Sequence, residues 1–537
     1  MDYLKRNKWL CILALLFLII RLPLLGQMYL LHDERDIVMS GYSIAKTGRD
    51  LYGNFMPINF TGINPDNPLF AIYFSALGWL VMPWRSVVTA RLPFVLISTS
   101  LIFLVYEVIY EITKNKRLAL LTTIIFCFSP WIFHLTRLAM DVTVAIVYLL
   151  SGILFYLKKK RLPAYVLFFL TFYTYQGFRV LIPFLLIYLE LFHYSNKRDT
   201  QSFIKNSITS AVVFFLLVGS ILFIDARVTA NRFDQLIFSK NESIAADVNF
   251  KRSTTIAHPL VSRIFYNKAT ASVDYVITTF IKGQDFSYLF KNGDYSAING
   301  NASAGQFFLV FFILYYLGLF ALGKRFDKNN WYIAGFALLG LLPAIVRAGS
   351  VTFSIRAMLS ALGFAYILAL GYELGRKTLD NFSPLLKKLI MTVLIGTLLI
   401  NVIYFGYDFY ARRPISVGEQ FNANEINLVD YMQQTNREWK VYHKYPYEPY
   451  MSYVFLDNTV DFITVQQILA QKKPYAIGGT SFVPCVPYKT LLKVEQSVIH
   501  EGCLKEEEHR TYPNLRKVMK GLPYQDYTKK TAYFFVE

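Results

Sequence analysis

Long apolar runs recur along most of this chain and are separated by shorter polar connections. A transmembrane helix needs about 20 predominantly apolar residues, and these runs approach that length. We therefore predict a polytopic α-helical membrane bundle of about eleven spans. The spans are placed near residues 9–26, 87–112, 117–133, 139–157, 162–175, 178–194, 206–224, 305–323, 330–346, 355–374 and 385–405.

The basic residues set the predicted orientation of these spans. Clusters such as Lys158–Arg161 and Lys197-Arg198 fall on every second connection, and the intervening connections lack them. By the positive-inside rule, this alternation predicts a multi-pass cell-membrane protein with a cytoplasmic N-terminus and an extracytoplasmic C-terminus. If the apolar stretch 68–84 crossed the bilayer, every later connection would lie on the opposite side of the membrane and the basic clusters would be outside. We therefore interpret this stretch as an interfacial helix.

The composition agrees with a membrane protein and gives no support to nucleic-acid binding. Of the 537 residues, 54% are hydrophobic and 17% are aromatic, which exceeds the apolar share of a typical soluble chain. The net charge of +19 resides in the short basic connections between the spans, and we therefore predict no nucleic-acid partner.

The polar segments divide the chain into two predicted domains. The first is a transmembrane domain at residues 1–410, with outer loops at 27–86 and 225–304. The second is a small soluble α/β domain at residues 411–537, outside the membrane.

The α/β prediction for the tail rests on its alternating pieces. Asn424–Gln434 has helical spacing, and the predicted topology puts Cys485 and Cys503 in an oxidising compartment where a disulfide can form. Their spacing alone does not establish a bond. The β-prone pieces are Lys440–His443, Tyr453–Leu456 and Thr531–Val536.

A polar cluster, His32–Asp36, follows the first span directly. Charged groups at a membrane face are costly unless they pair or have a function. Asp33 and Glu34 are therefore candidate catalytic residues, because a carboxylate can take a proton from an acceptor hydroxyl. The same acids would also suit a divalent metal, or Asp33 could simply be the N-cap of a helix that runs to Ala45.

Arginines at predicted outer turns form a second group of candidates. Arg137 and Asp141 are spaced i and i+4, which predicts a shared helical face and an ion pair. Alternatively, Arg137 grips a phosphate bidentately while Asp141 orients it. Arg179 and Arg356 also lie at outer turns, where cations are uncommon. The alternative is that they only snorkel to ordinary phospholipids. We add two candidate substrate-orienting residues, Tyr175 and His258.

The usual motifs of soluble nucleotide and metal enzymes are missing. No GxGxxG, P-loop, HExxH or CxxC pattern occurs in a usable context. The histidines do not have metal-ligand spacing. The sequence therefore predicts no particular cofactor and leaves a divalent metal at the acidic cluster open.

The order of these features resembles the GT-C glycosyltransferases, in the branch of protein O-mannosyltransferases and lipid A aminoarabinose transferases. The resemblance covers roughly Met1 to Tyr410. Its motifs are short, but their order and predicted topology agree. They are Asp33-Glu34, the NP-x-NPL sequence at 64–69, Arg91-Leu92-Pro93, Ser129-Pro130-Trp131 with Arg137 and Asp141, Gly305-Gln306, and Arg356-Ala357.

This resemblance implies a hexosyl- or pentosyltransferase that uses a polyprenyl-phosphate sugar donor. The acceptor would be a lipid, glycan or protein at the outer face, and transfer would invert the anomeric centre. By position, Asp33 would be the base, and Arg137 and Arg356 would contact the donor phosphate, with Arg179 third. The chain departs from the family in having no β-trefoil-like domain in its large loop and no Trp-Trp-Asp motif. Its tail does not identify itself.

Two other functions remain open at this stage. A transporter or flippase would be expected to have polar residues in mid-span and unwound helices at the bilayer midplane, whereas these spans are mostly apolar. A non-catalytic envelope protein that only binds a polyprenyl lipid would have the same sequence pattern. Release of sugar from a labelled lipid-linked donor separates the three.

Overall fold

The computed structural model describes residues 8–60, 68–197, 199–224, 242–296, 298–300, 304–324, 327–347, 354–435, 437–471, 474–487, 490, 496–504, 519–523 and 531–536. Residues 64–67 of the NP-x-NPL motif lie outside these ranges. So do residues 225–241 of the predicted second outer loop.

The described residues are mainly helical. Through Ile224 the helices are α1 (Lys8–Arg21), α2 (His32–Thr47), α3 (Leu69–Val81), α4 (Val87–Ser98), α5 (Leu101–Thr113), α6 (Lys116–Cys127), α7 (Pro130–Leu135), α8 (Asp141–Leu157), α9 (Arg161–Thr174), α10 (Gly177–Lys197) and α11 (Thr200–Ile224). The later helices are α12 (Glu242–Ser253), α13 (Pro259–Phe265), α14 (Lys268–Lys282), α15 (Phe312–Lys324), α16 (Lys328–Ala334), α17 (Phe336–Leu339), α18 (Leu342–Ile345), α19 (Ser360–Leu379), α20 (Pro384–Tyr407), α21 (Arg413–Ser416), α22 (Ala423–Thr435), α23 (Tyr447–Leu456) and α24 (Phe462–Ala470).

Each predicted span overlaps at least one helix, but the predicted count of about eleven crossings is not confirmed. Within the described ranges, four helical segments are long and apolar enough to cross a bilayer: Val87–Thr113, Gly177–Ser195, Thr200–Ile221 and Pro384–Ser416. Several other apolar helices are shorter because turns interrupt them. For example, Ser129 accepts a bond from the Ile132 N–H and starts a new helix at Pro130.

Clustering of contacts divides the chain into two compact units. The first comprises residues 1–23, 65–71 and 94–408, and the second comprises 24–64, 72–93 and 409–537. The sequence-based division at residue 410 assigns the first outer loop, 27–86, to the membrane domain. In the structure, most of this loop belongs to the same compact unit as the tail. This grouping brings the acidic cluster and the tail into one unit.

The first unit contains close helix pairs. Helices α15 and α19 approach through glycines, since a Cβ atom at Gly318 would overlap the Ile367 carbonyl and one at Gly371 would overlap the Leu314 carbonyl. Small residues allow this backbone approach, which is typical of packed membrane helices. Either glycine-to-alanine change would therefore separate the two helices.

The second unit is built around a mixed six-stranded sheet with the order β2-β3-β1-β4-β6-β5. Strand β1 is parallel to both β3 and β4, and the remaining pairs are antiparallel. Cys485 and Cys503, whose pairing the sequence left open, form a disulfide. The strands are β1 (Lys440–His443), β2 (Tyr475–Ile477), β3 (Thr480–Pro484), β4 (Ser497–His500), β5 (Met519–Pro523) and β6 (Thr531–Val536).

The predicted pieces of the tail are confirmed except for one. The strands at Lys440–His443 and Thr531–Val536 and the helix over Asn424–Gln434 are present. The strand predicted at Tyr453–Leu456 is wrong, because these residues form the end of helix α23. Burial of Tyr450, Met451, Val454 and Phe455 follows helical spacing, and this packing overrides the local β-propensity.

Candidate active site

Helix α2 carries the acidic pair in its first turn. Asp33 is exposed, whereas Glu34 is completely buried. Carboxylates in the first turn interact favourably with the helix dipole. The prediction that Asp33 is the N-cap is wrong, because Leu31 occupies that position and the helix begins at His32.

The buried Glu34 forms a bidentate ion pair with Arg91. Its carboxylate accepts from Arg91 Nε at 2.8 Å and Nη2 at 2.7 Å, and from the Leu31 N–H at 3.1 Å. Arg91 also donates to three backbone carbonyls within residues 25–29. These bonds fix the start of helix α2 and the chain before it, so Glu34 is suited to position Asp33.

Arg35 connects the same helix turn to helix α23 of the tail. Its Nη1 donates to the Glu448 carbonyl and to Ser452 Oγ, each at 3.1 Å. Its Nη2 lies 3.1 Å from His32 Nδ1. Burial, followed by the charge of Arg35, lowers the pKa of His32 to about 4. His32 is therefore neutral near pH 7, although its Nε2 lies 3.6 Å from the Glu448 carboxylate.

Asp36 is partly buried one helical turn after Asp33. Burial raises its pKa to about 7, and the charges of Asp33 and Glu448 act in the same direction, against that of Arg35. A carboxyl group with this pKa changes charge near neutral pH. Its Oδ1 atom is buried and has no hydrogen-bond partner among the described residues.

Replacing Asp36 with Asn should stabilise the protein more at pH 8 than at pH 5. A carboxyl group whose folded pKa is raised from 3.8 to about 7 favours folding fully at low pH, and that contribution is lost as the pH rises through about 7. Asparagine does not ionise. Solvent screening should reduce the gain at pH 8 to roughly 1–2 kcal/mol. Thermal unfolding of the purified protein at both pH values measures the difference, and equal stabilisation at both would contradict it.

Arg137, a candidate phosphate ligand, is almost fully buried. Its Nη1 donates to the Arg21 carbonyl at 2.5 Å and its Nη2 to the Pro23 carbonyl at 3.0 Å. The Arg21 side chain donates in turn to Thr136 Oγ1 and to the Cys127 carbonyl, each at 2.7 Å. These bonds connect the end of helix α1 to the segment around helix α7, which gives Arg137 a structural role.

The prediction that Arg137 and Asp141 share a helical face is wrong. Helix α7 ends at Leu135 and helix α8 begins at Asp141, so Arg137 lies in the connection between them. The i,i+4 spacing does not produce a common face across a break. Asp141 instead occupies the first position of α8 and accepts a bond from the Val142 N–H at 2.7 Å.

Arg356 is partly buried in the turn before helix α19. Two residues earlier, Ser354 is anchored by Asp294, whose Oδ2 accepts from the Ser354 N–H at 2.8 Å and from its Oγ at 2.6 Å. The Ser354 carbonyl accepts from Trp131 Nε1 at 2.9 Å. These bonds fix the backbone from which Arg356 projects.

The remaining candidates lie in local arrangements of the first unit. Arg179 Nε donates to the Phe172 carbonyl at 3.1 Å. Tyr175 lies at the break between α9 and α10, where its ring packs on Phe178. His258 is exposed and caps helix α13 by accepting the backbone N–H two residues later at 3.3 Å.

The candidate residues fall into both compact units. Asp33 and Glu34 belong to the second unit. In the described parts of the chain, no group of three or more His, Cys, Asp or Glu side chains has an arrangement that could hold a metal ion. The candidates of the first unit are Arg137, Asp141, Tyr175, Arg179, His258 and Arg356.

Sequence reasoning missed the roles of Arg21, Arg35 and Arg91. Arg21 and Arg91 each begin an Arg-Leu-Pro sequence next to an apolar run. A cation in that position is costly unless it is paired. The Arg-Leu-Pro sequence beside an apolar run could therefore have predicted that each arginine is buried and paired. No local signal identifies Glu34, 57 residues away, as the partner of Arg91.

The fold is similar to that of a GT-C glycosyltransferase of known structure, and this similarity of fold confirms the resemblance predicted from the sequence. The chain is similar to ArnT, the lipid A aminoarabinose transferase of Cupriavidus metallidurans, in its structure bound to undecaprenyl phosphate. The TM-score is 0.55 at 10% identity, with 99% of this chain and 98% of that chain covered. The four segments of the described residues that are long and apolar enough to cross a bilayer, together with this fold, indicate a membrane protein.

A lower similarity, with a TM-score of 0.47 and 10% identity, is found with the archaeal oligosaccharyltransferase AglB from Archaeoglobus fulgidus, solved with an inhibitory peptide and a dolichol-phosphate. It covers 99% of this chain and 74% of that chain. No family model and no curated protein sequence matches the chain.

Proposed function

We propose that this protein is an inverting membrane glycosyltransferase. It transfers a hexose or pentose from a polyprenyl-phosphate donor to a lipid, glycan or protein acceptor at the extracytoplasmic face. The main supporting observation is the exposed carboxylate of Asp33 next to the buried Glu34–Arg91 pair. The GT-C fold supports the reaction class, and the similar ArnT structure contains undecaprenyl phosphate.

The reaction we propose is a single displacement. The acceptor oxygen attacks the anomeric carbon as the bond from that carbon to the phosphate oxygen breaks, and the polyprenyl phosphate leaves with the electron pair. Asp33 takes the proton from the acceptor hydroxyl as general base. The leaving phosphate gains negative charge, so it requires cationic groups more than a second catalytic acid.

In this mechanism Glu34 and Arg91 are positioning residues. A buried, bidentate arginine–carboxylate pair has a well-defined geometry, and here it also holds the backbone before helix α2. A fixed helix start keeps the Asp33 carboxylate in a small range of orientations. General-base catalysis requires this control, because the base must be within hydrogen-bond reach of the proton.

The transfer reaction can be tested with the purified full-length protein in lipid nanodiscs. Radiolabelled polyprenyl-phosphate sugars are supplied on one side of the membrane with an extract of envelope acceptors, and release of polyprenyl phosphate is followed. Stoichiometric release with labelled product supports transfer. Saturable donor binding without release would instead indicate a lipid-binding protein, and movement of intact donor across the bilayer would indicate a flippase.

Arg137, Arg356 and Arg179 are the proposed ligands of the donor phosphate. Lysine keeps the charge but loses the bidentate fork, so Arg356→Lys should weaken binding of undecaprenyl phosphate about ten-fold, and Arg356→Ala should weaken it more. Exposed Arg263 in the same unit provides a control, and Arg263→Ala should have no effect. Wild-type affinity of Arg356→Ala would contradict the assignment.

Arg137 requires a separate comparison because it also binds buried carbonyls. Arg137→Ala should lower the melting temperature, since it leaves these acceptors without their donor. Its affinity for undecaprenyl phosphate is therefore compared with that of the wild-type protein at a temperature where all variants are folded. A lower melting temperature with unchanged affinity would make Arg137 purely structural.

The proposed orientation has a cytoplasmic N-terminus and an extracytoplasmic tail, as the alternating basic connections predict. In intact cells, an impermeant maleimide should label single cysteines introduced at Thr459 of the tail and near Asp66, which lies outside the described residues. It should not label a cysteine at Lys159 until the cells are permeabilised. Labelling of position 159 in intact cells would contradict the orientation.

A further inference from the structure

Buried and partly buried acidic and aromatic side chains of the second unit gather beside the Asp33 turn. The group comprises Asp36, Tyr52, Tyr447, Glu448 and Tyr475, and we call it the acidic–aromatic cluster. Its members come from helix α2, the turn after that helix, helix α23 and strand β2. Asp36 is within electrostatic range of both Tyr52 and Tyr447, and Tyr475 is within range of the same two tyrosines.

The tyrosine rings are held in defined positions. The rings of Tyr447 and Tyr475 meet edge to face with centroids 5.8 Å apart, and Tyr450 stacks on Tyr475 at 5.2 Å. The turn that carries Tyr52 is fixed by Asp50, which accepts from the N–H of Tyr52 and of Asn54, each at 2.9 Å. The cluster therefore does not depend on mobile side chains.

Several polar atoms in this cluster and on the ring stacked against it are buried without a partner in the described part of the chain. They include Asp36 Oδ1 and the hydroxyls of Tyr447 and Tyr450. Tyr447 is only 7% exposed, so its hydroxyl has little access to bulk solvent. A buried polar group without a hydrogen bond costs free energy, and such groups in one place indicate a ligand or bound water.

The charge around the cluster is predominantly negative. Asp33, Asp36 and Glu448 are carboxylates, while Arg35 supplies the nearby positive charge and already donates to the Glu448 carbonyl and to Ser452. Ionised carboxylates repel an anionic ligand. Carboxylates accept hydrogen bonds from hydroxyl and ammonium groups, and tyrosine rings contact sugar faces and cations.

We propose that the acidic–aromatic cluster binds the acceptor through a part that carries hydroxyl or amino groups and no negative charge. An amino sugar or an uncharged glycan unit has this chemistry, and a phosphorylated acceptor does not. The inference rests on the proposed function, because it takes the ligand that binds beside Asp33 to be the acceptor of sugar transfer. Tyr447 contributes its hydroxyl and Asp36 its unpartnered oxygen.

The test uses three probes that differ in one group: methyl glucopyranoside, methyl 2-amino-2-deoxyglucopyranoside and methyl glucopyranoside 6-phosphate. Binding to the full-length protein in nanodiscs is measured by calorimetry without any donor. The uncharged and amino probes should bind saturably, and the phosphorylated probe should bind at least about ten-fold more weakly. Equal or tighter binding of the phosphorylated probe, or no saturable binding of the other two, would overturn the inference.

The variants separate a binding role from a structural one. Tyr447→Phe keeps the ring and should weaken both binding probes about three- to ten-fold, whereas exposed Tyr445→Phe is the matched control and should change neither. Asp36→Asn should weaken the amino probe more than the uncharged one. If Tyr447→Phe leaves both affinities unchanged, the Tyr447 hydroxyl is not part of the binding site, whatever the change in melting temperature.

The two proposals can fail separately in these experiments. A protein that binds the probes but releases no polyprenyl phosphate would refute sugar transfer, while the binding site would stand. A protein that transfers sugar and prefers the phosphorylated probe would refute the acceptor assignment alone.

Discussion

Asp33→Asn should reduce sugar transfer by roughly 10²–10⁴-fold, equivalent to about 3–5 kcal/mol of transition-state stabilisation. Asparagine has nearly the same shape as aspartate but cannot take the acceptor proton. Asp33 is exposed at the start of a helix that is held by other residues. The substitution should therefore leave the melting temperature and the affinity for undecaprenyl phosphate largely unchanged.

The measurement is the initial rate of polyprenyl-phosphate release at saturating donor. Asp247→Asn is a suitable control, because Asp247 is an exposed aspartate in an i,i+4 pair with Lys251 and has no proposed role. Near-normal turnover by folded Asp33→Asn protein would refute the general-base assignment. An equal loss in Asp247→Asn would point to a charge effect unrelated to the site.

Arg91→Ala should destabilise the protein by about 3–5 kcal/mol, because it leaves the fully buried Glu34 carboxylate without its counter-charge. Arg91 also donates to backbone carbonyls before helix α2, so these carbonyls lose their donor at the same time. The start of helix α2 should loosen. Activity should therefore fall even at temperatures where the remaining protein stays folded.

Thermal unfolding and amide hydrogen exchange over residues 25–36 measure this effect. Arg49→Ala is the control within the same unit, because Arg49 is exposed and donates to the Gly53 carbonyl at 2.7 Å. A shift no larger than that of the control, or unchanged exchange at the helix start, would show that the pair does not hold Asp33. Glu34→Gln keeps one acceptor and should be milder than Arg91→Ala.

The acidic cluster shows how far local sequence can indicate a site. The position of Asp33 and Glu34 after the first apolar run was enough to nominate both residues. It did not separate their environments, because an exposed and a buried carboxylate look the same in sequence. The burial of Glu34 depends on Arg91, which is near it only after folding.

The arginines show a related limit. Hydropathy and loop charge placed Arg137 at a turn between apolar runs, but the i,i+4 rule assumed one continuous helix through Asp141. The break after Leu135 removed that face. The carbonyl partners of Arg137 lie at the end of the first helix, a long-range contact that spacing cannot reveal.

The sequence by itself determined the membrane character, the helical segments, most of the tail's elements and the likeness to GT-C enzymes. These properties follow from hydropathy, side-chain periodicity and short motifs, which act over a few residues. Only the tertiary structure decided that Glu34 is buried, that Arg35 meets helix α23, and that Asp36 lies among tyrosines of the tail. Those features depend on which distant side chains come together in the low-dielectric interior. An unpaired charge or hydroxyl is costly there, so the role of a buried polar group is set by the partners that folding gives it.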